Sequence, residues 1–460
     1  MKRINKLLLV SILVSSFTAC KKALDVEPRQ TIDANTALQN DQDVNSLIVG
    51  GYSIMAGGNL YGTNLLMLPD LLGSDGTSTW RGTFQSPKQI ANKQMDRNLA
   101  DANLTWTSAY DAINTANTAI SALGVVKDAD LKTQLEGEAL FIRGVMHFEL
   151  VRLYALPWGA TADNSQLGVV IKTKPTTNET EAFEKTPRNT VKQVYDQVIA
   201  DLTKAVTLLP EENSKRITKY TALGFLSRVY LQQGDYAKAR QAANDVIESG
   251  LFTLNASVSA VFTNKDTKES IWEIQQNEQN NAGSSNNGMA TFYSSQPGIG
   301  RADVRIAASF VANNYPANDL RQSEWYYIGT GARPGNTYTS KWSSYSQNLP
   351  IIRLSEMYLT RAEGNLAAGG APLGDTPGKD LAKVKNPLRT NSTAPANPTL
   401  ADVRNERFIE LAFEGHRIHD LKRLRMPTGT FAWNSDKLVF PIPQREIDAT
   451  LGILLQNPGY

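Results

Sequence analysis

Glu410 and Glu414 stand one helical turn apart. That spacing sets two carboxylates on one helix face, and paired carboxylates can carry glycoside hydrolysis. The neighbouring charges point away from that chemistry. Arg407, Glu410, Glu414 and Arg417 fall at i, i+3, i+7 and i+10 and alternate in sign, the pattern of an ion-pair network that joins helices. His416 and His419 lie three apart and could share a metal, but no HExxH accompanies them, the only cysteine is Cys20, and the third histidine, His147, sits in a distant amphipathic segment. They read as structural histidines. Gly374-Asp375-Thr376-Pro377-Gly378-Lys379-Asp380 lacks the spacing and the Ser/Thr of a phosphate-binding loop, and no G-x-S-x-G elbow occurs. The expectation is a chain without catalytic residues, metal or cofactor, in which Glu410 and Glu414 belong to the frame.

Aromatic residues in polar loops carry a stronger signal. A sugar ring has an apolar C–H face and a hydroxyl rim; Trp and Tyr offer a flat platform for the first, and Arg, Asn, Asp and Gln bind the second. Each stacking contact is worth about 1 kcal/mol. Trp80-Arg81 is the leading candidate, because it follows the polar run Gly73–Thr79 outside any amphipathic pattern. Phe292-Tyr293, in an Asn/Ser/Gly-rich stretch before Gln296, comes second. Trp325 lies in an expected strand over 325–328, where core packing is the stronger reading. Asn64 and Asp75 are candidate polar contacts, whereas Trp106, Trp158 and Trp272 read as structural.

The elements that must position these residues are mostly helical. Apolar periodicity predicts helices over about 33–52, 105–123 and 130–155, another after the Thr190 cap that stops at Pro210, and a pair over 217–233 and 235–249 around Gly234-Asp235-Tyr236. In that pair Leu223, Leu226, Tyr230, Gly234, Tyr236, Ala239 and Ala243 follow tetratricopeptide spacing, and a segment over 350–368 begins another pair. Residues 399–425 complete a frame of about four helix pairs. Strands are expected at 169–171 and 270–274. Long interruptions at about 57–99, 251–349 and 369–398 form a loop-rich lobe, the kind of segment that carries binding groups on a rigid frame.

At the start, Lys2, Arg3 and Lys6 precede the apolar run Leu7–Val14, and small residues lead to Cys20. This predicts a secretory signal over 1–19, too short to span a membrane, and an acylated Cys20 followed by a tether to about residue 33. Removal of the signal turns the formal charge from +2 to −1. No basic cluster remains, so nucleic acid is not an expected partner. Residues 34–460 read as one domain.

Three strings resemble the SusD/RagB family of outer-membrane nutrient-binding lipoproteins. They are Cys20-Lys21-Lys22-Ala23-Leu24-Asp25-Val26-Glu27-Pro28; Arg404-Asn405-Glu406-Arg407-Phe408-Ile409-Glu410-Leu411-Ala412-Phe413-Glu414-Gly415-His416-Arg417 with Asp420-Leu421; and Ile442–Ile447 with Gln456-Asn457-Pro458-Gly459-Tyr460. The resemblance implies a mostly α fold of four tetratricopeptide units with an irregular ligand lobe and no enzymatic activity. It also implies a partner, a SusC-like TonB-dependent transporter to which captured oligosaccharide is delivered, with the protein held on outer-membrane lipid through Cys20. A peptide-capturing member of the same family and a pure protein-interaction scaffold are the alternatives.

Overall fold

The computed structural model describes residues 38–460 apart from 179–180, 182–183 and 284–285. Cys20, the signal and the tether therefore lie outside the described residues.

The chain opens with α1 (Asp41–Ala56), held by a capping box between Asn40 and Asp43. There follow α2 (Asn64–Leu72), β1 (Ser78–Trp80) and α3 (Gln85–Ala91). The frame continues with α4 (Ala100–Ala122), α5 (Ala129–Tyr154), α6 (Val191–Leu208), α7 (Lys219–Gln233) and α8 (Tyr236–Glu248). Then come β2 (Ser270–Ile274), α9 (Met289–Tyr293), β3 (Val304–Ile306), β4 (Tyr326–Ile328), β5 (Thr337–Thr339) and β6 (Leu349–Arg353). The frame closes with α10 (Leu354–Ala368), α11 (Pro377–Val384), α12 (Leu400–Glu410) and α13 (Arg417–Arg423).

The long helices pack in sequence order, α4 on α5, α5 on α6, α6 on α7, α7 on α8, α8 on α10, and α10 on α11 and α12; α1 lies against α4. This is the expected tetratricopeptide-like stack, entered again at α10 after a hundred-residue excursion. Local chemistry sets its corners. Thr190 closes a capping box with Gln193 at the start of α6, and Thr218 and Thr399 do the same for α7 and α12. Gly234 ends α7 with φ of 75°, a left-handed conformation that glycine adopts without a Cβ penalty.

The excursion supplies β3, β5 and β4 of a four-stranded antiparallel sheet in the order β1-β3-β5-β4, whose edge strand β1 comes from before α4, and β2 pairs with β6 in a second, two-stranded ribbon. Three expectations need correction. The 57–99 segment is not irregular: α2 is fully buried, because Leu65, Leu66, Met67, Leu68, Leu71 and Leu72 all pack inward. Residues 169–171 form no strand, only the neighbouring bridge between Leu167 and Thr190. Trp325 ends the helix Leu320–Trp325, and the strand starts after it at Tyr326.

One hydrophobic cluster runs from Val44 on α1 to Leu454 near the C-terminus and joins helices and sheets alike. A smaller cluster of Leu359, Ala362, Leu381, Val384 and Val403 lies between α10, α11 and α12. Among the described residues no helix is long and apolar enough to cross a membrane.

Candidate ligand platform and the charged frame

β1 and β3 bring together residues more than two hundred positions apart. Trp80 pairs with Val304 across the ladder, and the Arg81 amide donates to the Asp303 carbonyl at 2.6 Å. The short α9 lies against β3 and sets Phe292 beside Trp80, ring centroids 5.7 Å apart. Phe84 meets the other side of Phe292 edge-on at 6.2 Å. The Arg301 guanidinium sits 4.3 Å over the Phe84 ring and is aimed by Asp303, which accepts from its Nε at 2.9 Å. Asp303 also faces Arg333 at 3.5 Å. Gly82 makes the arrangement possible: a Cβ there would stand 2.5 Å from the Trp80 ring and 2.7 Å from the Asp303 carboxyl carbon.

The outcome is a surface of mixed character. Phe84 is 42% exposed, Trp80 is half-buried, Arg81 is exposed, and the Arg333 side chain is 41% exposed. An apolar ring therefore lies beside the Arg301 guanidinium, and Arg301 and Arg333 share the buried Asp303 carboxylate beneath the surface. Phe292 is only 3% exposed and serves as the floor under Trp80 and Phe84, not as an open platform.

The other sequence candidates lie elsewhere. Tyr293 is fully buried against Phe413, its hydroxyl without a partner. Trp325 is fully buried too, its Nε1 donating to the Val258 carbonyl at 3.1 Å and its ring beneath the Lys341 ammonium at 3.9 Å. Asn64 is buried and donates to Thr105 Oγ1 at 3.0 Å. The candidate ligand contacts at Tyr293 and Asn64 are corrected, since both are buried, and Trp325 takes the core position that was its stronger reading instead of a ligand contact: α9 turns its apolar side into the core, and Trp325 closes a helix over Phe262. Asp75 is exposed and accepts from Lys93 Nζ at 2.8 Å, outside the aromatic cluster. Phe84, Arg301, Asp303 and Arg333 escaped the sequence reading. Phe84 left a usable trace, a lone aromatic in the same polar run as Trp80; the rest depend on a strand pairing that periodicity cannot register.

Glu410 and Glu414 form the frame, by a different route than the i, i+3, i+7, i+10 pattern suggests. α12 ends at Glu410, and a turn with Phe413 at φ of 65° separates it from α13. The carboxylates are met from other elements. Glu410 accepts from Arg321 at 2.8 Å, Arg353 at 3.1 Å and Arg389 at 3.2 Å. Glu414 accepts from Lys341 at 2.6 Å and Arg353 at 2.8 Å. Burial alone would push the Glu410 carboxyl up; the guanidiniums of Arg389, Arg353 and Arg321 outweigh it and hold it well below the usual carboxylate range. Arg407 pairs instead with Asp420 and Glu356. His416 and His419 are buried, and burial holds both well below the usual histidine value. Among the described residues no group of three or more His, Cys, Asp or Glu side chains is placed to hold a metal.

Comparison with known proteins agrees with this architecture. The family description "Starch-binding associating with outer membrane" matches residues 22–231, and that of the SusD family matches residues 311–438. The chain belongs to the SusD family. SusD-like protein P2 of Formosa agariphila is 26% identical, with 98% of each chain covered. A SusD superfamily protein of Bacteroides thetaiotaomicron superposes with a TM-score of 0.81 at 25% identity, covering 91% of this chain and all of the other. A surface glycan-binding protein A of the same organism, solved in complex with laminarihexaose, shares the fold at a TM-score of 0.76 and 21% identity, covering 91% of this chain and 99% of that one. Membership of this family carries carbohydrate binding in general and association with the outer membrane.

Proposed function

We propose that the protein captures oligosaccharide on the Phe84–Trp80 platform and delivers it to a TonB-dependent outer-membrane transporter. The observation that carries the reading is the exposed Phe84 ring capped by Arg301, beside the half-buried Trp80 and the exposed Arg81. A sugar face stacks on the rings, and hydroxyls reach Arg81, Arg301 and Arg333, with the buried Asp303 orienting Arg301. The laminarihexaose bound to the surface glycan-binding protein of the same fold supports a glycan over a peptide. Two or three such stacking contacts give roughly micromolar to millimolar affinity, weak enough for release onward. Acylated Cys20 would hold the protein on the outer membrane.

Calorimetric titration with laminarihexaose, maltohexaose and a peptide panel tests the reading. Binding of an oligosaccharide that falls about tenfold in Phe84→Ala and Arg301→Ala supports it; binding only to peptides, or glycan binding untouched by both substitutions, removes it. Co-purification of a TonB-dependent transporter with the wild-type chain tests delivery, and loss of the membrane-bound fraction in Cys20→Ala tests the anchor.

A further inference from the structure

A second candidate site lies apart from the aromatic platform. α12, α13 and the turn between them enclose a cavity of about 570 Å³, floored by Asp70 and walled by Phe310, Phe408, Leu411 and Phe413. None of Trp80, Arg81, Phe84, Phe292 or Arg301 lines it. Its volume is that of a small-molecule pocket, and its walls are mainly apolar.

Four arginines reach this cavity, and three are already committed. Arg404 donates to Glu363 and Tyr236, Arg407 to Asp420 and Glu356, and Arg423 to Glu363 and Asp420. Arg417 differs. Its guanidinium lies 4.0 Å over the Phe408 ring and makes no hydrogen bond or ion pair with any described residue; its Nε is buried and unpartnered. The carboxylates that act on it electrostatically are hydrogen-bonded elsewhere: Asp420 accepts from Arg407 at 3.0 Å and Arg423 at 2.6 Å, Asp70 from the Gly415 amide at 2.8 Å and the Arg417 amide at 2.9 Å, and Asp75 from Lys93 at 2.8 Å. A second buried donor at the cavity wall, Arg407 Nη1, also lacks a partner, although Arg407 as a whole is 2% exposed. Burying cationic donors without acceptors is costly, and a pocket that does so is complementary to an anion. One free guanidinium set among phenyl and leucyl walls fits one negative charge on an apolar body; a phosphate, with more charge to neutralise and more oxygens to satisfy, would need several free donors.

We infer that the α12–α13 cavity is a binding site for an apolar monocarboxylate, held by a salt bridge to Arg417 with its hydrocarbon against Phe408, Phe310 and Phe413. The site is independent of the glycan platform.

Octanoate is the probe, with 1-octanol as its uncharged counterpart, titrated calorimetrically into the folded chain. The expected result is saturable octanoate binding at least about tenfold tighter than that of octanol. Arg417→Gln should weaken octanoate by at least about tenfold and leave octanol unchanged, while Arg417→Lys keeps most of the difference. The Arg417 amide bond to Asp70 survives both substitutions, and thermal melts check that each variant is folded. Phe84→Ala should leave octanoate binding unchanged, which separates this site from the platform. Absence of saturable octanoate binding, equal affinity for octanol, or no effect of Arg417→Gln would overturn the inference.

Discussion

At the scale of single residues, position in the polar run mattered more than residue type. The surface placement of Trp80 and Arg81 was legible because they sit in a stretch with no amphipathic pattern; Trp80 is half-buried and Arg81 exposed. Phe292-Tyr293 sits in a similar stretch, yet its one-turn helix faces the core; a five-residue helix is too short to show a period. Removing the Tyr293 hydroxyl separates the two roles. Tyr293→Phe should leave glycan affinity and melting temperature unchanged or slightly raise the latter, because the hydroxyl pairs with nothing, and titration plus a thermal melt reads both. The charged frame was legible in kind but not in wiring. Its partners Arg321, Arg353 and Arg389 lie 89, 57 and 21 residues from Glu410, beyond any helix-face rule. Glu410→Gln leaves these guanidiniums short of an anion in a closed interior, and urea denaturation should show a loss of about 3–5 kcal/mol.

Helices long enough to repeat their period were read within about five residues of their ends, except α1, expected over 33–52 and observed over Asp41–Ala56. The expected 105–123 and 130–155 helices are α4 (Ala100–Ala122) and α5 (Ala129–Tyr154). α2 was missed because it is apolar on every side and so presents no stripe. α5 carries an acid-sensitive group. His147 is buried, its Nδ1 against the Arg143 carbonyl at 2.9 Å, and burial lowers its pKa to about 4. A folded value below the unfolded 6.5 means that this contribution is present above pH 6.5 and is lost as pH falls toward 4. The melting temperature of the wild type should therefore fall more steeply between pH 6.5 and pH 4 than that of His147→Gln. At the α7–α8 corner, Gly234→Ala meets no neighbour but must hold φ of 75°, and should cost about 1 kcal/mol in chemical denaturation.

At the scale of the whole molecule, one cluster ties helices to sheets, and calorimetry should show a single unfolding transition that moves upward when oligosaccharide is present. Tetratricopeptide stacking keeps most helix contacts between neighbours in sequence, and that part of the architecture was readable. The sheet joins β1 to β3 across more than two hundred residues, and no local signal announces it. Asp70 goes further: its two oxygens are capped by amides 345 and 347 residues downstream. A chain halted before residue 400 would leave that carboxyl stranded among α2 leucines, with its acceptors unmet. The contacts that complete the surroundings of α2 thus form only after residues 345 and 347 positions downstream have been made, which makes this closure a late event in folding.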